Sequence, residues 1–98
     1  MVVEFLTFPV PRELRDQWMA VEQQTWSRFL ARQTGFVDKQ LWVEREAPDE
    51  VHAVIRWSDE ASWKAIPGDE LAAVDKAMGH FRGNAQLRVY DVLAEVLP

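Results

Sequence analysis

Residues 51–57 read VHAVIRW, and this stretch restricts the possible folds more than any other in the chain. Alternate side chains of a strand point to opposite faces. Val51, Ala53, Ile55 and Trp57 therefore share one side, and His52, Val54 and Arg56 the other. A sheet with one solvated face alternates cleanly between apolar and polar residues; here Val54 interrupts the polar side. Residues 1–8, MVVEFLTF, repeat the pattern, with Val3 and Phe5 on one side and Val2, Leu6 and Phe8 on the other. Both faces of these strands are expected to be at least partly covered.

The rest of the chain supplies one cover. Pro9-Val10-Pro11 halts the first strand, and Pro11 suits the start of a helix, where its missing N–H is no loss. Leu14, Trp18, Val21, Thr25 and Phe29 then recur at steps of three and four, with Met19, Trp26 and Leu30 widening the stripe, which predicts one long amphipathic helix ending at Gly35. Residues 36–45 and 51–57 read as two strands, with a turn expected at Ala47-Pro48-Asp49-Glu50. Ser58 or Asp59 is placed to cap a short helix holding Trp63 and Ile66. Pro67-Gly68 ends that helix and Asp69 is placed to cap another, which carries Leu71, Val74, Met78 and Phe81 on one face. Gly83-Asn84 precedes a last strand over 87–93. The order is βαββαβ with a split second helix, an α+β, ferredoxin-like arrangement in which an antiparallel four-stranded sheet carries both helices on one face. The simplest cover for the other face is a second copy, packed sheet to sheet as a dimeric α+β barrel. The expectation is a single domain over 1–98 that forms a homodimer through the sheet face.

Composition removes several function classes. The net charge is −5 with both signs interspersed, so no basic footprint for nucleic acid is present. No apolar run reaches the length of a membrane span, and the amino terminus has neither a basic region nor a signal-type apolar stretch, so a cytoplasmic location without membrane attachment is expected. The absence of cysteine excludes disulfides and thiolate nucleophiles. Ser27, Ser58 and Ser62 lie in no nucleophile-elbow context, and His52 and His80 share no metal-ligand spacing. No metal or cofactor is expected.

The candidate chemistry lies in the strands. Glu4, His52, Arg56, Arg88 and Tyr90 all fall inside strands whose faces should be covered, and a buried charge must be paired or hydrogen-bonded. They form either a paired structural network or the polar groups of a pocket between helices and sheet. In the pocket reading Trp63, Trp18 or Trp26 supplies an apolar wall, and Glu4, His52, Arg56 or Tyr90 binds or polarises a small planar aromatic ligand. His52 and Glu4 are then the candidate acid–base residues, histidine because its ordinary pKa lies near neutrality. Arg56, Trp63, Tyr90, Trp18 and Trp26 are candidate ligand-binding residues, although aromatic residues at helical spacing, such as Trp18 and Trp26, are ordinarily core. Which face His52 and Arg56 occupy is open at this level.

Phe5-Leu6-Thr7-Phe8, Gly35-Phe36, Pro48-Asp49, Val54 to Trp57 with the acidic-capped helix behind it, and Arg88-Val89-Tyr90 together resemble the antibiotic-biosynthesis-monooxygenase-like dimeric α+β barrel superfamily. More narrowly, VPRELR, GFVDKQLWV and VIRWSDEASWKAIP resemble a group of small proteins found mainly in cyanobacteria. The superfamily includes cofactor-free quinone-forming monooxygenases, heme-degrading enzymes and isomerases. The heme-degrading pattern does not carry over in register: its strand-one asparagine falls on Glu4, its tryptophan near Ile66 and its histidine near Lys76, with His80 one turn later and turned away from the apolar face. The resemblance thus implies a cofactor-free monooxygenase-like enzyme for a small aromatic or quinone-like molecule. The alternatives are a ligand-binding dimer without chemistry and a purely structural dimeric barrel.

Overall fold

The computed structural model describes residues 1–98. Strand β1 (Val2–Pro9) pairs antiparallel with both β3 (Ala47–Trp57) and β4 (Gln86–Asp91), and β2 (Phe36–Glu44) closes the far side of β3, giving the order β2-β3-β1-β4. This is the ferredoxin-like α+β fold. The register places Val2 opposite Trp57, Leu6 opposite Ala53 and Phe8 opposite Val51, all facing the helices. Val2, Ala53, Ile55 and Trp57 are buried there with Phe29 and Leu30 of the first helical segment. A second cluster of Val10, Trp18, Val51 and Met78 lies at the other end of that layer.

The first helical segment is not one regular helix. A 3₁₀ turn (Arg12–Leu14) leads into α1 (Arg15–Glu22), a π-helical stretch (Gln23–Ser27) and α2 (Arg28–Ala31). The Thr25 hydroxyl donates to the Val21 carbonyl at 2.8 Å, competing for the oxygen that its own backbone N–H would take in an α-helix. The apolar stripe survives the change of pitch because it is wide enough to absorb it.

Gly35 follows with φ +84, and an added Cβ would overlap Ser62 Cβ and lie 2.6 Å from its Oγ. Glycine is thus required twice here, by the left-handed backbone and by the close approach of the next helix. Asp59 caps that helix, α3 (Glu60–Lys64), by accepting from the Ser62 N–H at 2.7 Å. At α4 (Gly68–Ala77) the capping position is Pro67, and Asp69 lies inside the first turn with Glu70, where a negative charge meets the positive end of the helix.

The β2–β3 hairpin departs from the sequence expectation. Its turn is Arg45-Glu46, with Glu44 paired to Ala47, so Ala47 to Glu50 belong to β3. Pro48 is tolerated because β1 ends at Pro9 opposite Glu50, leaving β3 an unpaired side at that point. A register shift between Phe36 and Asp38 sets Phe36 opposite Trp57 and Lys39 opposite Ile55, so that both residues face the helices although their sequence parity differs. The last strand ends at Asp91, two residues short of the expected range. No helix is long and apolar enough to cross a membrane.

Candidate functional site

Three strands contribute one row beneath the helices. Glu4 on β1 and Lys39 on β2 both pair with Ile55 of β3, so the two charged residues stand on the same face with one apolar side chain between their stems. Their backbones are two strand spacings apart, about 10 Å. Above Ile55 a cavity of about 290 Å³ separates sheet from helices. Trp26 and Leu30 line it from the first helical segment, Trp63 and Ile66 from α3 and the residues after it, Leu71 and Asp75 from α4, and Gly83 and Ala85 from the chain leading to β4. This is the small end of the size range of ligand sites, and its apolar walls with a few convergent polar groups fit their usual make-up.

The two polar ends differ. Glu4 accepts a hydrogen bond from Trp57 Nε1 at 3.2 Å. Burial pushes its carboxyl above the ordinary carboxylate range, against the Trp57 hydrogen bond and the charge of Lys39, which pull the other way. Lys39 forms an ion pair with Glu22 and donates to Ser27 Oγ at 2.9 Å, while Ser27 Oγ donates to Glu22 Oε2 at 3.0 Å. The Glu22 and Lys39 side chains are only 2% and 7% exposed. Burial pulls the Lys39 ammonium below its ordinary range, and Glu22 opposes the shift.

The π-helical stretch makes this triad possible. Residues five apart on an α-helix are turned about 140° from one another, whereas the i to i+5 spacing of a π-helix brings them onto one side. Glu22 and Ser27 are five apart, and both reach Lys39. π-Helical turns of this kind are common at functional sites.

The candidate residues named from sequence are thereby divided between two faces. Glu4, Trp63 and Trp26 line the cavity. His52, Arg56 and Tyr90 do not: they lie on the opposite, uncovered side of the sheet. There Thr7 Oγ1 and His52 Nδ1 are hydrogen-bonded at 2.9 Å, Arg56 Nε donates to Asp38 at 2.8 Å with a second bond from its Nη2, and Arg56 Nη1 lies 3.6 Å from Glu95. Phe5 stacks on His52 with ring centroids 5.0 Å apart and meets Tyr90 and Trp42 edge-on at 5.8 and 6.4 Å. Trp42 and Tyr90 remain 49% and 48% exposed, and Arg88 is exposed beside them. Trp18 is buried against Val10, Val51 and Met78 at the other end of the helix–sheet layer and does not line the cavity. His80 is exposed, as its helical position implies.

Lys39, Glu22 and Ser27 were not singled out as a site from the sequence, although two signals were present. Glu22 sits on the apolar stripe, four residues after Trp18 and four before Trp26, and Lys39 has the same strand parity as Val37 and Leu41.

No protein-family model matches the chain, and no curated protein matches it in sequence. Solved structures match it in fold. A monooxygenase from the gene ActVA-Orf6 of Streptomyces coelicolor, solved with the ligand nanaomycin D, superposes with a TM-score of 0.79 at 14% identity over 99% of this chain and 91% of that one. The chain has the fold of the antibiotic biosynthesis monooxygenase structures. SnoaB, a cofactor-independent oxygenase from Streptomyces nogalater, gives a TM-score of 0.69 at 22% identity, covering 97% of this chain and 95% of its own. A conserved protein from Methanosarcina mazei gives 0.70 at 16% identity, covering 91% and 89%. The likeness to all three is one of architecture, and the residues of the site carry the functional reading.

Proposed function

We propose that the chain is a cofactor-independent, monooxygenase-like enzyme acting on a small aromatic or quinone-like molecule bound between helices and sheet. The observation that carries this reading is the cavity above Ile55, which joins a half-buried carboxyl, Glu4, to the aromatic walls of Trp26 and Trp63. A carboxylate with raised proton affinity is a better base than an ordinary one. Glu4 removes a proton from an activated C–H or O–H of the bound ring, and the electron-rich anion then reduces dioxygen; the ring gives up a second hydrogen and four electrons in all, so that one oxygen atom becomes a quinone carbonyl on the ring and the other leaves as water. Glu4, rather than His52, takes this role because His52 faces the other side of the sheet. The shared fold of two oxygenases, one solved with nanaomycin D and the other cofactor-independent, supports the assignment.

The reading includes a homodimer. Phe5, Trp42, Val54 and Tyr90 present an aromatic and aliphatic groove on the uncovered face, rimmed by Asp38 and Arg56. A second copy of the same face is self-complementary across a two-fold axis. In the dimer His52, Arg56 and Tyr90 act as interface residues.

Oxygen uptake with anthrone-like phenols tests the enzyme reading. Wild-type protein is expected to consume oxygen, and Glu4→Gln to lose about a hundredfold or more of the rate, with Trp63→Phe reducing it less. Uptake that does not depend on protein sinks the assignment.

A further inference from the structure

Lys39 is a buried cation with more donors than partners. An ammonium carries three N–H donors; one engages Glu22 and one engages Ser27 Oγ. Lys39 lines the cavity, and the charge that faces it across Ile55 is Glu4. Two of its donors are therefore fixed on the helix side, and the third is free to serve an oxygen in the space above Ile55. We propose that Lys39 is the oxyanion-binding residue of the cavity, and that it selects aromatic molecules bearing an acidic hydroxyl whose oxygen reaches its Nζ while the ring lies over Ile55 between Trp26 and Trp63. This rests on the cavity being the substrate site, as proposed above, and adds the chemical class that the site takes.

The charges support the choice. Glu22 cancels the charge of Lys39, and Ser27 holds the Glu22 carboxylate in place. When a phenol binds, its O–H bond breaks, the proton passes to the Glu4 carboxylate, and the phenolate oxygen pairs with the Lys39 ammonium. The total charge within the cavity does not change, so the transfer needs no counter-ion from solvent. Burial of Lys39 strengthens it as a donor, because a desolvated ammonium gives up more of its hydrogen to an acceptor.

The test uses 4-nitrophenol, whose ionised form has its own visible absorption, and nitrobenzene, the same ring without the hydroxyl. At a pH where free 4-nitrophenol is mostly protonated, the wild-type protein is expected to bind it as the phenolate, about tenfold or more tighter than nitrobenzene. Lys39→Met alone strands a buried Glu22, so the deciding variant is the double change Glu22→Gln/Lys39→Met, which removes both charges together; its thermal unfolding is followed alongside. That variant is expected to bind both rings equally and to show no phenolate absorption. Retention of the phenolate signal by the folded double variant overturns the proposal, as does binding of 4-nitrophenol by wild-type protein only in its neutral form or not at all. Phenolate binding without oxygen uptake from any phenol leaves Lys39 in its role and removes the oxygenase reading alone. Oxygen uptake unchanged in the double variant does the reverse.

Discussion

The two faces of this sheet hold ion pairs of the same chemical type in opposite settings. Beneath the helices, Lys39 and Glu22 are almost wholly enclosed and share Ser27. On the other face, Arg56 and Asp38 form a two-pronged pair with side chains 32% and 38% exposed. An enclosed pair carries a large desolvation penalty that its mutual attraction must offset, whereas an exposed pair carries little of either. A charge kept at the costly site needs a reason, and the adjoining cavity supplies one. Charges at the cheap site need none beyond solubility and the register of a partner.

The largest expected effect separates the two pairs directly. Lys39→Met leaves Glu22 buried and uncompensated and should cost about 3–5 kcal/mol of stability, measured by urea unfolding. Arg56→Met should cost far less in the isolated chain, because solvent screens the exposed pair. Similar losses for the two variants would erase the distinction. The double variant Glu22→Gln/Lys39→Met should recover most of the loss, since replacing both partners removes the stranded charge.

Gly35→Ala probes how the helix face is assembled. The left-handed backbone and the overlap with Ser62 together predict a loss of about 1–3 kcal/mol or more. Gly68→Ala, where a new Cβ meets nothing within 4 Å, should change stability far less.

For the open face the measurement is assembly. Phe5 is the hub of the aromatic cluster with His52, Trp42 and Tyr90. Phe5→Glu places a charge in the centre of the proposed interface and should convert dimer to monomer in analytical ultracentrifugation. A wild-type chain that sediments as a monomer at all concentrations removes the dimer and leaves the cavity untouched.

Much of this layout was legible in the chain. Strand parity assigned the sides of β3 correctly, Asp59 takes the capping role its residue type suggests, and the element order led to the observed topology. Gly35 has the left-handed backbone expected of it, but in the turn before β2 and not at the helix end, where Arg32 is the capping residue. The hairpin turn was misplaced because Ala47-Pro48-Asp49-Glu50 has turn chemistry, yet β1 leaves β3 free at Pro48, and the proline is absorbed there. The site was only half legible. Glu4, Trp26 and Trp63 could be named, but parity says which residues share a face and not which face meets the helices, so His52 and Arg56 entered the same set. The triad depends on two local irregularities with weak sequence signals. The register shift after Phe36 lets Phe36 and Lys39 share a side despite opposite parity, and the π-helical stretch brings Ser27 over Glu22. Each is decided by competition between neighbouring backbone hydrogen bonds rather than by composition.

The smallest expected effect is also the most specific to the helix face. Because burial raises the folded-state pKa of Glu4, the folded chain holds a proton there that the unfolded chain has already released once pH passes the ordinary carboxyl value. The folded state binds more protons in that window, so this group's contribution to stability falls as pH rises from the ordinary value to the raised one, and stays at its lower level above it. Glu4→Gln keeps an oxygen that accepts from Trp57 Nε1 but cannot ionise. The variant should therefore be more stable than wild type at neutral pH, match it at acid pH, and lack that component of the pH dependence. Asp38→Asn on the open face should do the opposite, since the hydrogen bond from Arg56 holds the Asp38 carboxyl below its ordinary range and its stabilising part disappears as pH falls through that lowered value. Urea midpoints across the acid-to-neutral range for the two variants test both signs in one experiment. If Glu4→Gln loses stability at neutral pH as Asp38→Asn does, Glu4 is an ordinary paired carboxylate, and the cavity loses its base.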